Sequence, residues 1–303
     1  MKDLISLNDL AIFLGMPFLS ALALMTDDED WNAFARNMVA GANAIISRSP
    51  ASLARRMREI GATPHMRISP EDAAREVAAN EILTTIQILR DSLPGRWRPA
   101  IEIAGEEHLI SALDRGKGAI LWDSHFFGAS LVTKMGLYGR GYRLRHLSRR
   151  EHGFSSTRFG MAVLNPVRIR SEERYLAERI VMPAENPGGV LAKLAAHLKK
   201  NRIVNITVRG EAARPVEARF FEGRLRIAPG APVLAWNSKA ALIPVFTTCM
   251  GAGRYSVRLD RPIELDVFST RGEAVLGAAE DYARRLEKIV ADKPGQWIEW
   301  FNI

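Results

Sequence analysis

The stretch "AILWDSHFFGASLVTK", residues 119–134, places a histidine directly after an apolar run, and His125 is the residue in it best suited to moving a proton. Imidazole titrates near neutral pH, so a positioned histidine can take a proton from a reacting hydroxyl and give it back. A carboxylate on the far ring nitrogen fixes the tautomer and stabilises the imidazolium that develops. Asp123 lies two residues earlier, and on a strand running that far the two side chains share a face. The bland alternatives are a cap for Asp123 and a structural role for His125. Spacing among His65, His108, His146, His152 and His197 suggests no metal site, and they are read as surface or packing residues. The single cysteine, Cys249, excludes an intrachain disulfide framework and a cysteine-built metal centre. No P-loop, dinucleotide-binding glycine pattern or Ser-His-Asp arrangement occurs, so neither a metal nor a permanently bound cofactor is expected.

Charge gives the second signal. Net charge is +8, and between Lys134 and Arg170 nine basic residues face one acid, Glu151. Concentrated positive charge suits an anionic partner: a phosphate head group, a phosphate-bearing co-substrate, an acidic carrier protein or nucleic acid. Nucleic acid ranks last, because no reading module or aromatic interleaving accompanies the run. Arg143 and Arg145 alternate as on a strand, and Arg168 and Arg170 repeat that spacing.

The elements that must position these residues divide the chain near residue 100. Residues 1–100 read as helical: Ser69 is an N-cap before Pro70, and Pro94-Gly95 is a stop. From 101 to 303 strand and helix patterns alternate. "AILWDS", "YRLRHLS", "RIVNITV", "ALIPVFTTCM" and "YSVRLDRPIEL" read as strands, with helices between them and a long closing helix. The expected fold is α/β, a largely parallel central sheet flanked by helices, with a helical N-terminal extension packed on it. The apolar run Leu10–Met25 is short of the roughly 20 residues that span a bilayer. It reads as a buried core helix or as a helix lying partly in a membrane surface, with a spanning helix as the third reading.

Four blocks resemble the lysophospholipid acyltransferase superfamily, in particular the branch of lipid A late acyltransferases and mycobacterial phosphatidylinositol-mannoside acyltransferases. They are "EHLISALDRGKGAILWDSHFFG", "LKKNRIVNITVRG", "VEARFFEGRLRIAPGAPVLAWNSKAALIPVF" and "KPGQWIEWF", and their order and spacing cover about two-thirds of the chain. The resemblance implies transfer of an acyl group from a thioester, acyl-CoA or acyl-acyl carrier protein, to a hydroxyl of a lipid or glycolipid. It also implies work on the cytoplasmic, inner face of the membrane, with anionic lipids and an acyl carrier protein as partners. His125 would be the general base, oriented by an acid five residues on. That place holds Ser130, or Leu131 if "HFFG" carries an insertion.

Asp123 is then the first substitute for the missing carboxylate, with Glu151, Glu211 and the Ser130 hydroxyl as others. Arg209, ending a buried strand where related sequences are basic, is an anion ligand, since guanidinium recognises phosphate bidentately. Arg149, Arg150 and Glu211 would complete substrate binding. Phe126 and Phe127 line an acyl channel or belong to the core, and Phe220 and Phe221 belong to the core. Because the motif departs from the family pattern, two other functions stay open: acyl transfer to a soluble biosynthetic acceptor, and a catalytically silent lipid- or partner-binding relative.

Overall fold

The computed structural model describes residues 3–41, 50–183 and 187–303. Of the stretch expected to be helical over residues 1–100, residues 42–49 lie outside the described residues. Four helices come first: α1 (Leu7–Met25), α2 (Asp28–Gly41), α3 (Pro50–Glu59) and α4 (Pro70–Ser92). The Ser69 hydroxyl caps α4 by accepting the Asp72 N–H, which satisfies one of the free N–H groups of the first turn. The remainder alternates as β1 (Ala100–Ala104), α5 (Glu106–Asp114), β2 (Ala119–Asp123), α6 (Ala129–Gly139), β3 (Leu144–Ser148), α7 (Asn165–Glu173), β4 (Leu176–Val181), α8 (Pro187–Lys199), β5 (Ile203–Thr207), the hairpin β6 (Val216–Phe220) and β7 (Gly223–Ile227), α9 (Gly230–Ser238), β8 (Ala241–Gly251), β9 (Arg254–Leu259) and α10 (Arg271–Asp292).

Seven strands form the central sheet in the order β1-β9-β8-β2-β5-β3-β4. Every pairing is parallel except β8 with β9. Strand β2 sits in the middle and is buried on both faces, hence its unbroken apolar run. Ile120 and Trp122 point into one core while Ala119 and Leu121 point into the other. Both cores include side chains from the N-terminal helices, such as Met57 in the first and Trp31 in the second.

Three elements were not expected from the sequence. Edge strand β1 is too short and mixed to show alternation, β4 follows a helical stretch, and the β6–β7 hairpin pairs outside the main sheet. Arg168 and Arg170 lie on helix α7, not on a strand, so their two-residue spacing sends them to different faces: Arg168 is half-buried and Arg170 exposed.

Helix α1 overturns the buried-core reading. It is 19 residues long, and by length and composition alone it could cross a membrane. Asp9 and Ala23 are its buried residues, whereas Leu7, Leu14, Phe18 and Met25 are exposed. One side packs on α4. Its N-terminus is tied down by a Ser6–Asp9 capping box and a hydrogen bond from the Thr157 hydroxyl to Asp9 (2.7 Å).

Candidate active site

The chain leaves β2 at Asp123 and turns into α6 through Gly128, whose φ of 75° and close approach to the Tyr255 ring leave no room for a side chain. Between them, His125 sits beside the C-terminal ends of three neighbouring parallel strands, β2, β5 and β3, where α/β sheets commonly bind ligands. Its Nδ1 is hydrogen-bonded to Glu299 Oε1, a residue 174 positions away. Side-chain exposure is 20% for His125 and 16% for Glu299, so the pair is sheltered but reachable. Among the described residues Nε2 has no hydrogen bond within the protein, which leaves it as the working nitrogen.

Glu299 is held by backbone pairing. The Phe127 N–H donates to Gln296 O (2.7 Å), the Ile298 N–H donates to His125 O (3.2 Å), and Phe126 bridges Trp297 in antiparallel fashion. The Gln296 side chain makes two bonds to the backbone of Cys249 on β8 (2.8 and 2.9 Å). Trp297 and Trp300, on either side of Glu299 in sequence, are buried against Phe220 and Phe221. The core expectation for those two phenylalanines therefore holds, and their packing anchors the carboxylate. Asn302 donates to the second Glu299 oxygen.

The sequence-based substitutes lie elsewhere. Asp123 is 3% exposed, its Oδ1 finds no hydrogen-bond partner among the described residues, and it makes no bond to the His125 ring. Burial pushes its carboxyl up to about 8, against the opposing pull of Lys134, so at neutral pH it is largely protonated. Ser130 accepts a hydrogen bond from Arg168 Nη2 (2.8 Å). Glu211 pairs with Arg149 (2.5 Å), and Glu151 lines the neighbouring cavity. Sequence reasoning missed Glu299 because no local spacing encodes a contact over 174 residues; its one signal was a carboxylate inside the "KPGQWIEWF" block.

Two cavities meet at His125. A basic one of about 520 Å³ is lined by Asp123, His146, Arg149, His152, Arg209 and Glu211 among others. An apolar one of about 780 Å³ runs between α1, α2 and α4, past Ile12, Phe18, Phe34, Ile82 and Phe126. Arg209 thus lines the site as expected, with Glu299 and Glu211 nearby to hold its charge. Arg150 is exposed and lines neither cavity, because the chain turns away after β3. Phe126 lines the apolar cavity, but Phe127, one residue on, projects to the other face of the sheet against Tyr255.

A polar network underlies the basic cavity. Lys134 (α6) and Glu172 (α7) form a buried ion pair, and Glu172 also bonds His152 Nε2 (2.9 Å) and Arg168 Nε (3.0 Å). Three donors around Glu172 outweigh its burial and hold its carboxyl well below the usual range. Burial holds the His152 ring down at about 4 and the His146 ring well below its ordinary value, so both are neutral. Of the two readings, surface or packing, the sheltered position of both histidines bears out packing, and both line the basic cavity. The basic run also disperses in space: Lys134 meets Glu172, Arg140 meets Glu106 and Arg149 meets Glu211. Among the described residues no cluster of histidine, cysteine or acidic side chains could hold a metal ion.

Residues 33–302 match the profile of the bacterial lipid A biosynthesis acyltransferases. The chain belongs to that family. Its members are lipid acyltransferases, which makes this chain one of a family of enzymes of lipid biosynthesis. No match was found among curated proteins.

Proposed function

We propose that the protein transfers an acyl group from a thioester, acyl-CoA or acyl-acyl carrier protein, to a hydroxyl of a lipid at the inner face of the membrane, with no permanently bound cofactor. The observation carrying this reading is a histidine with a carboxylate on Nδ1 at the place where an apolar cavity meets an arginine-lined one. His125 Nε2 takes the proton from the acceptor hydroxyl as its oxygen attacks the thioester carbonyl. The C–S bond then breaks, and the proton passes from the imidazolium to the departing thiolate. Glu299 keeps the proton on Nδ1 before the reaction and stabilises the imidazolium during it.

The apolar cavity takes the acyl chain, and each methylene buried there contributes roughly 0.8 kcal/mol. Arg209 and Arg149 face the basic cavity, where they would meet the phosphates of a donor or of a lipid head group. The exposed apolar face of α1 lies in the membrane surface while its other face walls the apolar cavity, and anionic lipids hold the basic surface of the protein there.

The test supplies wild-type protein and His125→Ala with labelled palmitoyl-CoA or palmitoyl-acyl carrier protein and a bacterial lipid extract in mixed micelles. Label should reach an organic-phase product, at a rate reduced about 10²–10⁴-fold in the variant. A variant within tenfold of wild type removes His125 from the chemistry. Label appearing only in a water-soluble product moves the acceptor to a small soluble molecule.

A further inference from the structure

An alcohol attacking a thioester makes two charges at once, a positive one on the base and a negative one on the carbonyl oxygen. Glu299 answers the first. The second needs a donor at the place where the acyl chain ends and the polar part of the donor begins. Among the described residues His125, Ser130, Gly153 and Arg168 line both cavities. Of these four, His125 is occupied as the base, Gly153 has no side chain and Ser130 is uncharged, so Arg168 is the one cation.

Two bonds fix its orientation, Nε to Glu172 Oε1 (3.0 Å) and Nη2 to Ser130 Oγ (2.8 Å). Together they use two of the five guanidinium N–H groups, leaving three for a ligand. Glu172 does not cancel the charge, because Lys134 already pairs with it in a site where both are almost fully buried. His152, held neutral, adds none. Among Lys134, Arg168, Glu172 and His152 one positive charge therefore remains, and Arg168 is the member of that group that lines both cavities.

Resting on the acyl-transfer reading, we infer that Arg168 is the oxyanion donor of the reaction: it hydrogen-bonds the thioester carbonyl oxygen as that oxygen becomes negative, while Glu172 and Ser130 hold its plane. Arg168 stands beside Ser130, the position that the resemblance assigns to an acid.

The test compares Arg168→Gln and Arg168→Lys with wild type in the palmitoyl-CoA assay, and measures binding of hexadecylphosphonate against 1-hexadecanol by titration calorimetry. The phosphonate carries an anionic tetrahedral centre on the chain that fills the apolar cavity, and the alcohol carries the same chain without charge. Removing one such donor typically lowers kcat about 10²–10³-fold, and that loss is expected for the Gln variant with KM for palmitoyl-CoA little changed. The Lys variant should keep most of the charge effect.

Wild type should bind the phosphonate at least tenfold more tightly than the alcohol, and Arg168→Gln should erase that preference without weakening the alcohol. A wild type with no preference for the phosphonate overturns the assignment, whatever the variants do. Equal weakening of both probes makes Arg168 structural, and a rise in KM alone makes it a ground-state anion ligand; either result also overturns it. The phosphonate comparison needs no turnover, so failure of the acyl-transfer reading shows separately, as a wild type that releases no thiol.

Discussion

Replacing Glu299 by Gln keeps the side chain's shape and one oxygen that can accept from His125 Nδ1, while it removes the charge behind the ring and gives up the acceptor that Asn302 uses. The cost follows from the surroundings of the pair. Both side chains are mostly sheltered, at 20% and 16% exposure, so an effective dielectric constant of about 20 applies, and an ion pair at contact is worth about 4 kcal/mol. That is close to a 10³-fold effect on a step that creates an imidazolium. Arg209 lies near Glu299, and without the carboxylate its charge opposes the imidazolium. The Gln oxygen can still accept from Nδ1, so some orientation survives, and a fall in kcat of about 10²–10³ with unchanged KM is expected.

Glu299→Ala empties the position, and the assay repeats its kinetics with added formate or acetate. A small carboxylate entering the vacated space should restore part of kcat in the Ala variant and none in the Gln variant. A residue that merely held the C-terminal segment in place would show no such rescue, because Trp297 and Trp300 are the anchors of that segment. Glu299→Gln turning over within threefold of wild type, while His125→Ala is inactive, would refute the reasoning.

Asp123 is predicted to destabilise the protein as pH rises. Its folded pKa of about 8 lies far above the unfolded value near 3.9, so the folded state binds the extra proton throughout that window. Stability therefore falls with each unit from about pH 4 to 8, by up to about tenfold in the folding equilibrium per unit. Asp123→Asn should show a smaller decline, measured as Tm between pH 6 and 8; parallel Tm curves for the two proteins would contradict this. Gly15, on the α1 wall of the apolar cavity, has nothing within 4 Å of where a Cβ would stand. Gly15→Phe should fold normally and shift preference from palmitoyl-CoA toward shorter acyl-CoA donors, measured as the ratio of kcat/KM values; an unchanged ratio would place the chain elsewhere.

The sheet was legible because burial leaves periodic traces. Strand β2 is apolar throughout since both its faces are covered, and the Ser69–Pro70 start of α4 is a capping signal that needs no tertiary context. His125 was legible for a related reason, a polar side chain at the end of a buried strand. What stayed hidden depends on chain segments meeting across the fold. Glu299 reaches His125 through backbone pairing of residues 125–127 with 296–298. The positive run from Lys134 to Arg170 is contiguous in sequence, yet Glu172 just beyond it on α7 and Glu106 and Glu211 from distant segments divide it. Phe126 and Phe127 are adjacent, chemically identical and both buried, and only the path of the backbone after β2 sends one to the wall of the apolar cavity and the other into the opposite core.

The hydroxyl at position 130 and the placement of Glu299 have one electrostatic logic. Position 130 lies on the first turn of α6, where its side chain meets Arg168. A carboxylate there would be drawn to the guanidinium, which already bonds Glu172, and would neutralise the remaining charge of the junction. A hydroxyl orients Arg168 and leaves that charge intact. The negative group that imidazole needs then has to come from a place that Arg168 does not engage, and the C-terminal segment provides it through Trp297 and Trp300. In the proposed reaction the anion on Nδ1 and the cation at the meeting of the cavities would favour the charge separation of acyl transfer, and the two fixed charges, held on different segments, would not quench each other beforehand.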